Sequence, residues 1–177
     1  MDRSRFSGLA AVACIAGAVG CISPSEPAEP LTCESPGLST QDWRTVSQSV
    51  VTFKVPSSYQ NAAGSNRWRS GRAWVELLVL LPGIVKTDSI EVLTNYVECR
   101  STVRGRRLVI QLGETSISGQ YGPGWYLSAN WGTAQVPSGD LVPVTATVVM
   151  EAWTPTEGLI EEILAVFWSV LVNGAGP

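Results

Sequence analysis

The sequence contains no histidine in its 177 residues. Histidine is the commonest general base, proton shuttle and metal ligand in proteins, so its absence excludes Ser-His-Asp and Cys-His catalysis. A Ser-Lys dyad would have to use Lys54 or Lys86, and neither lysine lies in a pattern typical of such enzymes. We therefore predict that the protein is not an enzyme and has no catalytic residues.

Charge is scarce as well, with 12 Lys and Arg residues against 15 Asp and Glu residues and a net charge of −3. Because nucleic-acid-binding domains are usually strongly basic, nucleic acid is not an expected partner. The carboxylates of Asp42, Asp88, Glu91 and Asp140 are scattered without the spacing of a calcium loop. This pattern predicts no metal site and no cofactor.

Long apolar runs are missing except near the start of the chain. Arg3 and Arg5 precede an apolar stretch over residues 8–19, which is shorter than the roughly 20 residues that a membrane-spanning helix needs. A positive region, an apolar region and small residues, in that order, are typical of an export signal. The segment Ala18-Val19-Gly20-Cys21 resembles the lipobox of bacterial lipoproteins.

The lipobox resemblance implies cleavage before Cys21, which would then carry a diacylglycerol and usually a third acyl chain such as palmitate. Two or three chains hold a protein on a bilayer nearly permanently, so the predicted partner is the membrane, through this lipid. Ile22 is not the aspartate associated with inner-membrane retention, which favours the periplasmic face of the outer membrane. Two alternatives remain, lipidation of Cys14 and an ordinary signal peptide cleaved near Gly20.

The predicted organisation is a signal over residues 1–20, a solvated tether over residues 21–39 and a single domain over residues 40–177. The tether is rich in Ser, Pro and Glu and has little apolar surface with which to fold. Cys33 and Cys99 are the cysteines left over, and an oxidising exported compartment favours a disulfide between them. The alternative is two buried free thiols.

Alternation predicts a β-strand over residues 51–55, and a nearly continuous apolar run predicts a central strand, covered on both faces, over residues 72–81. Strands are also predicted over residues 96–103 and 107–112. The last two flank Arg104-Gly105-Arg106 and are expected to form a hairpin. Residues 95–150 are interpreted as an antiparallel meander. Two further strands present apolar side chains on one face, namely Trp125, Leu127, Ala129 and Trp131 in the first, and Val142, Val144, Ala146, Val148 and Met150 in the second.

Thr154-Pro155-Thr156-Glu157 predicts the start of a helix, because it combines a capping box with proline at the first helical position. Glu161 and Glu162 suit the positive end of its dipole. Asn173-Gly174 predicts its end, and a second helix or crossover is expected over residues 87–94. The apolar stripe consists of Leu159, Ile160, Ile163, Leu164, Val166, Phe167, Val170 and Leu171.

The predicted fold class is α+β, an antiparallel meander with this amphipathic helix packed on it. A membrane-surface helix and a partner-binding helix are alternatives, but the polar face carries glutamates rather than lysines. A strand ending in Val55-Pro56-Ser57-Ser58-Tyr59, a loop containing Trp68 and the terminal segment over residues 162–170 resemble the PsbP-like fold. The resemblance implies a sheet with helices packed on it and a role in binding or assembling other proteins.

Arginine and aromatic residues are the candidate binding residues. Arg67, Arg69 and Arg72 surround Trp68, and Arg100, Arg104, Arg106 and Arg107 lie on the hairpin. Converging arginines suit carboxylate or phosphate ligands, although solubilising charge is the alternative. Tyr121 and Trp125 lie in a glycine- and proline-rich loop, where a binding role competes with simple packing.

These features predict a non-catalytic, lipid-anchored protein that binds or assembles another component of the bacterial cell envelope. A small-ligand-binding envelope protein or an atypical hydrolase is the alternative. A deep pocket with an acidic residue would favour the alternative, and a flat arginine-rich face would favour the first hypothesis.

Overall fold

Alternating apolar and polar residues build two antiparallel β-sheets, joined by one short helix. The computed structural model describes residues 32–61, 63–82, 93–116, 121–138 and 141–173. Within those ranges the elements are β1 (Arg44–Gln48), β2 (Val51–Val55), β3 (Gln60–Asn61), β4 (Arg67–Ser70), β5 (Ala73–Leu80), β6 (Leu93–Val103), β7 (Arg106–Thr115), β8 (Gly124–Ser138), β9 (Leu141–Thr154), a 3-10 turn (Glu157–Leu159), α1 (Ile160–Trp168) and β10 (Leu171–Val172).

The larger sheet has seven strands in the order β3-β4-β5-β9-β8-β7-β6, and the smaller has three in the order β1-β2-β10. Neighbouring strands are antiparallel throughout. Strands β6 to β9 are consecutive in both sequence and space, so the predicted meander is confirmed. Strand β5 lies between β4 and β9, in the interior of the sheet as its apolar run predicts. The α+β class is confirmed.

One face of the seven-stranded sheet, called here the inner face, packs against α1 and the smaller sheet. Phe53 of β2 meets Trp68 of β4 edge to face, with ring centroids 4.9 Å apart. Phe167 of α1 meets Trp131 of β8 in the same way at 6.1 Å. Burial of this apolar area is the main force that holds the layers together. One fully buried row across the inner face consists of Val75, Ala152, Leu127 and Leu112.

The β6–β7 hairpin turns through Arg104 and Gly105, whose φ angles are 51° and 81°. Val103 pairs with Arg106, so the turn has two residues. Two consecutive positive φ angles are typical of a type I′ turn, whose twist matches that of the paired strands. The predicted hairpin is confirmed, and Arg104 shares the left-handed conformation that the sequence assigned to the glycine alone.

Helix α1 confirms the predicted terminal helix and lies against the sheet, but it starts later than expected. Thr154 Oγ1 accepts a hydrogen bond from the Thr156 amide at 3.2 Å and donates one to the Thr156 carbonyl at 3.0 Å. This local turn occupies the side chain that the capping box would use, and no side chain caps the 3-10 turn or α1. Glu161 and Glu162 stand in the first turn of α1 as predicted.

The helix also ends earlier than its apolar stripe predicts. Leu171–Val172 form β10 and pair with β2 instead of continuing the helix. Ser169 Oγ accepts a hydrogen bond from the Lys54 amide at 2.8 Å and donates one to the Val166 carbonyl at 2.7 Å. Because these bonds fix the end of the helix on β2, the chain passes directly into the smaller sheet. The predicted stop at Asn173 is therefore wrong, since its amide bonds to the Val50 carbonyl.

Two other expectations need correction. Trp68 lies in β4 and is buried, so it does not belong to a loop. Val142 is 82% exposed, because the start of β9 pairs only with the end of β8 and extends past the buried part of the inner face. The lipobox with Cys21 and Cys14 and the signal lie outside the described residues. Of the helix or crossover expected over residues 87–94, residues 87–92 also lie outside them, and residues 93–94 belong to β6 instead.

The Cys33–Cys99 disulfide is present, with Cα atoms 6.1 Å apart, which confirms the predicted pair. Cys33 is 1% exposed, and its carbonyl accepts a hydrogen bond from the Trp168 indole at 3.3 Å. Ordered packing therefore begins before residue 40, where the domain was expected to start, because the disulfide attaches the end of the expected tether to β6. No helix among the described residues has the length and apolarity to cross a membrane.

Candidate functional site

The β4 arginine group, Arg67, Arg69 and Arg72, lies toward the β3 edge of the seven-stranded sheet. Arg67 is opposite Glu76 in the strand register, and its Nε donates to Glu76 Oε2 at 2.9 Å. Its guanidinium carbon lies 4.3 Å from the centroid of the Trp74 ring. Arg67 therefore combines a charge-assisted hydrogen bond with a cation–π contact.

Aromatic rings form a second layer on the outer face of the sheet, opposite the inner face. The outer aromatic cluster consists of Trp74, Tyr121, Tyr126 and Trp153. Tyr121 meets Trp74 at 5.1 Å and stacks on Tyr126 at 6.2 Å between centroids. Trp74 and Trp153 are 5% and 3% exposed, while the two tyrosines are half-buried. The guanidinium of Arg72 lies 5.6 Å from the Trp153 centroid and is exposed.

A row of polar side chains runs beside this cluster. Glu76 of β5 is opposite Glu151 of β9, and Glu151 is opposite Ser128 of β8. Glu151 is 5% exposed. Like charges on directly opposed residues repel, and the Arg67–Glu76 ion pair offsets this repulsion. The outer face thus joins an aromatic row with a row that can donate and accept hydrogen bonds.

The sequence predictions missed Glu76, Glu151, Trp74, Trp153 and Tyr126. The sequence did contain a signal for four of them. Trp74-Val75-Glu76 and Glu151-Ala152-Trp153 carry tryptophan and glutamate two residues apart, in opposite order. Antiparallel pairing of two such segments places tryptophan opposite tryptophan and glutamate opposite glutamate, as the register shows. Without knowing that β5 pairs with β9, neither segment stands out.

The hairpin arginine group lies toward the β6 edge of the seven-stranded sheet, opposite to the β3 edge. It consists of Arg100, Arg104, Arg106 and Arg107. Strands β5, β9 and β8 separate β4 from β7, which places these two strands about 19 Å apart across the sheet. The two arginine groups do not converge on one ligand. Arg106 Nη1 donates to the Thr133 carbonyl at 2.8 Å, and Arg107 is exposed.

Arg104 contributes to a basic cleft of about 380 Å³ at the end of α1. The second cation in the cleft is Lys54, whose Nζ donates to the Thr40 carbonyl at 2.9 Å. The walls come from the segment before β1, from β2 and from the end of α1. The cleft brings a predicted site residue, Arg104, together with the apolar side chains of Leu38, Trp168 and Leu171.

The other two predicted aromatic residues have packing roles. Trp68 is 4% exposed and contacts Phe53, so it cannot stack on a ligand. Trp125 is half-buried and packs against the hydrophobic core, on the face opposite to its neighbour Tyr126. Of the predicted aromatic residues, Tyr121 alone belongs to the outer aromatic cluster.

Glu98 is the centre of a small network on β6. Its carboxylate accepts hydrogen bonds from Gln111 Nε2 at 3.1 Å, Arg100 Nε at 2.9 Å and the Tyr96 hydroxyl at 3.0 Å. These bonds, that from Gln111 first, lower the pKa of Glu98 from 4.5 to about 2. Desolvation and the hydrogen bond to Glu98 raise the pKa of Tyr96.

Tyr59 is the one described phenol inside the core. Its hydroxyl makes no hydrogen bond of good geometry, although the Glu162 carboxylate faces it. Burial and that negative charge raise the pKa of Tyr59. The described residues bring together no group of three metal-ligating side chains.

No family model, no curated protein and no solved structure matches this chain. The likeness to the PsbP-like fold therefore stays a prediction from the sequence.

Proposed function

We propose that the protein is a membrane-anchored lipoprotein that binds another component of the bacterial cell envelope without catalysing a reaction. The observation that carries the proposal is the outer face of the seven-stranded sheet. There, half-buried tyrosines and the exposed Arg72 surround two tryptophans outside the main core. Tyrosine and arginine, the accessible residues of this cluster, are among those that contribute most to the energy of protein interfaces, and the two buried tryptophans support them from below.

The state of the charged groups supports a binding role over an enzymatic one. The chain has no histidine, and Glu76, the half-buried carboxylate beside the outer aromatic cluster, is tied to Arg67 by an ion pair. A general acid or base must be free to exchange a proton with its substrate. An ion pair under a cation–π contact is better suited to holding a fixed surface than to transferring protons.

The membrane attachment rests on the lipobox at Cys21, and the periplasmic side of the outer membrane rests on Ile22. With Cys33 held by its disulfide, only the residues between Cys21 and Cys33 would link the lipid to the domain. A fully extended chain of that length spans about 40 Å. The domain would therefore stay close to the bilayer, where it meets other envelope proteins. A PsbP-like sheet with a terminal helix is the scaffold we propose for this role.

This function is tested by crosslinking the tagged full-length protein in its native membranes and capturing it by affinity. Mass spectrometry then identifies the captured partners. Arg72→Glu reverses an exposed charge beside the outer aromatic cluster, and Arg107→Glu reverses an exposed charge at the β6–β7 hairpin, away from that cluster. We expect one envelope protein to be captured by the wild type and by Arg107→Glu, and to be lost with Arg72→Glu and with Cys21→Ser. Equal capture by both charge-reversal variants would reject the outer face as the binding surface.

A further inference from the structure

The basic cleft has the chemistry of a second binding site, separate from the outer face. Its two cations, Lys54 and Arg104, come from β2 and from the β6–β7 turn. None of the described residues that line it is an aspartate or a glutamate. A concave site with two cations and no carboxylate attracts an anion and discriminates against a cation.

The rest of the cleft is apolar and hydroxylic. Leu38, which is 43% exposed, faces it together with Trp168 and Leu171, and Phe53 lies among the lining residues. The hydroxyl groups of Thr45 and Thr52 add hydrogen-bonding capacity. A free inorganic anion would leave the apolar wall in water, whereas a ligand with an anionic head and an apolar body would cover both parts.

The wall before β1 is a fixed part of the site. At one end, Cys33 is bonded to Cys99 and its carbonyl accepts the Trp168 indole N–H. At the other end, the Thr40 carbonyl accepts a hydrogen bond from Lys54 Nζ. Leu38 lies between these two attachments. The apolar wall is therefore held in place before a ligand arrives, which lowers the entropy cost of binding.

The helix end beside the cleft does not cancel its positive charge. A helix C-terminus carries a partial negative charge on its free carbonyl groups. Here the Val166 carbonyl accepts from Ser169 Oγ, and the Phe167 carbonyl accepts from the Val170 amide at 3.1 Å. Because these carbonyls are already bonded, two full positive charges dominate the field in the cleft.

We propose that the basic cleft binds an anionic amphiphile, a molecule with a phosphate-type head on a short apolar body, with Lys54 and Arg104 at the head and Leu38, Trp168 and Leu171 along the body. This site does not depend on the partner proposed for the outer face.

The test is calorimetric titration of the full chain in neutral maltoside micelles. The probes are dihexanoyl phosphatidylglycerol, dihexanoyl phosphatidylcholine and inorganic phosphate. We expect phosphatidylglycerol to bind about tenfold or more tightly than either of the others. That ratio corresponds to the contribution of one hydrogen-bonded charge. Equal affinity for phosphatidylcholine would overturn the role of the cations, and equal affinity for inorganic phosphate would overturn the role of the apolar wall.

Two variants each remove one cation from the cleft, and the Arg104 variant leaves the bond between Lys54 and the Thr40 carbonyl intact. Arg104→Asn removes the charge but keeps an Asn-Gly pair, which favours the type I′ turn. Lys54→Gln removes the second charge and keeps a donor. Each is expected to weaken phosphatidylglycerol binding about tenfold, while Arg107→Gln, an arginine of the same hairpin outside the cleft, is expected to leave it unchanged. An equal loss in all three variants would show nonspecific charge attraction and overturn the proposal.

Discussion

The two arginine groups look alike in the sequence, yet their charges are used in different ways. In the β4 arginine group, Arg67 is neutralised by Glu76 and both Arg67 and Arg72 lie over tryptophan rings. In the hairpin arginine group, no carboxylate of the described chain pairs with Arg104 or Arg107. A sequence shows how many charges a segment carries, whereas the register of the sheet decides which of them are compensated.

Removal of the disulfide is expected to lower the free energy of unfolding more than any single substitution in either arginine group. The bond attaches to β6, which belongs to the hairpin arginine group and not to the β4 arginine group. Cys33→Ser with Cys99→Ser opens a loop with a sequence separation of 66 residues. In the chain-entropy model this costs about 4 kcal/mol of unfolding free energy. Urea unfolding measures the loss. The cation–π contact between Arg67 and Trp74 serves as the internal control, because it should persist in the folded variant. A loss below about 1 kcal/mol would contradict the chain-entropy explanation.

Within the β4 arginine group, Glu76→Gln is expected to cost about 1–2 kcal/mol, because it replaces a charge-assisted bond to a half-buried arginine by a neutral one. A double-mutant cycle with Arg67→Gln measures the coupling between the two side chains. Glu34→Gln, at an exposed position, is the matched control and should change stability little. Additive effects of Glu76→Gln and Arg67→Gln would show that the ion pair does not stabilise the sheet.

Within the hairpin arginine group, the side chain of Arg104 should matter little for stability and its backbone should matter more. Arg104→Asn is expected to change the unfolding free energy by less than about 0.5 kcal/mol, since asparagine tolerates positive φ. Arg104→Val should cost about 1–2 kcal/mol at φ 51°. Thermal unfolding of the two variants checks this order. The reverse order would mean that the turn depends on the guanidinium.

The smallest expected effect concerns Glu98, the carboxylate that pairs with Arg100. Its pKa is depressed from 4.5 to about 2, so its stabilising contribution is present above pH 4.5 and is lost as the pH falls toward 2. Carboxyl-carbon NMR titration measures this pKa directly. Gln111→Ala removes the largest cause and should raise the pKa toward the ordinary value. No change in Gln111→Ala would assign the depression to Arg100 and Tyr96 instead.

Strands with strong alternation could be predicted from the sequence, because side chains of period two report directly which face is buried. The hairpin at Arg104-Gly105 and the strand that contains Leu127 and Ala129 are examples. The two-residue strands β3 and β10 are too short to produce a pattern. Leu171 also continued the apolar stripe of α1, and a hydrogen bond between Ser169 and Lys54, distant in sequence, decides where that helix ends.

The candidate sites were harder to predict, because both depend on pairing between distant strands. Arg104 was identified as a candidate, but Lys54 was not, since the two meet only when β2 lies beside the hairpin turn. Similarly, Trp74 and Trp153 can be recognised as neighbours only from the register of β5 with β9. Local patterns determine the strands, and long-range pairing determines which side chains share a surface.

The disulfide between Cys33 and Cys99 also decides how the domain responds to force. A pull on the chain before Cys33 passes through the covalent bridge into β6, at the edge of the seven-stranded sheet. The strands β1 to β5 lie within the bridged loop and carry no tension along their backbone. Reduction of the bond would move the point of attack to β1, so that pulling would peel the smaller sheet apart first.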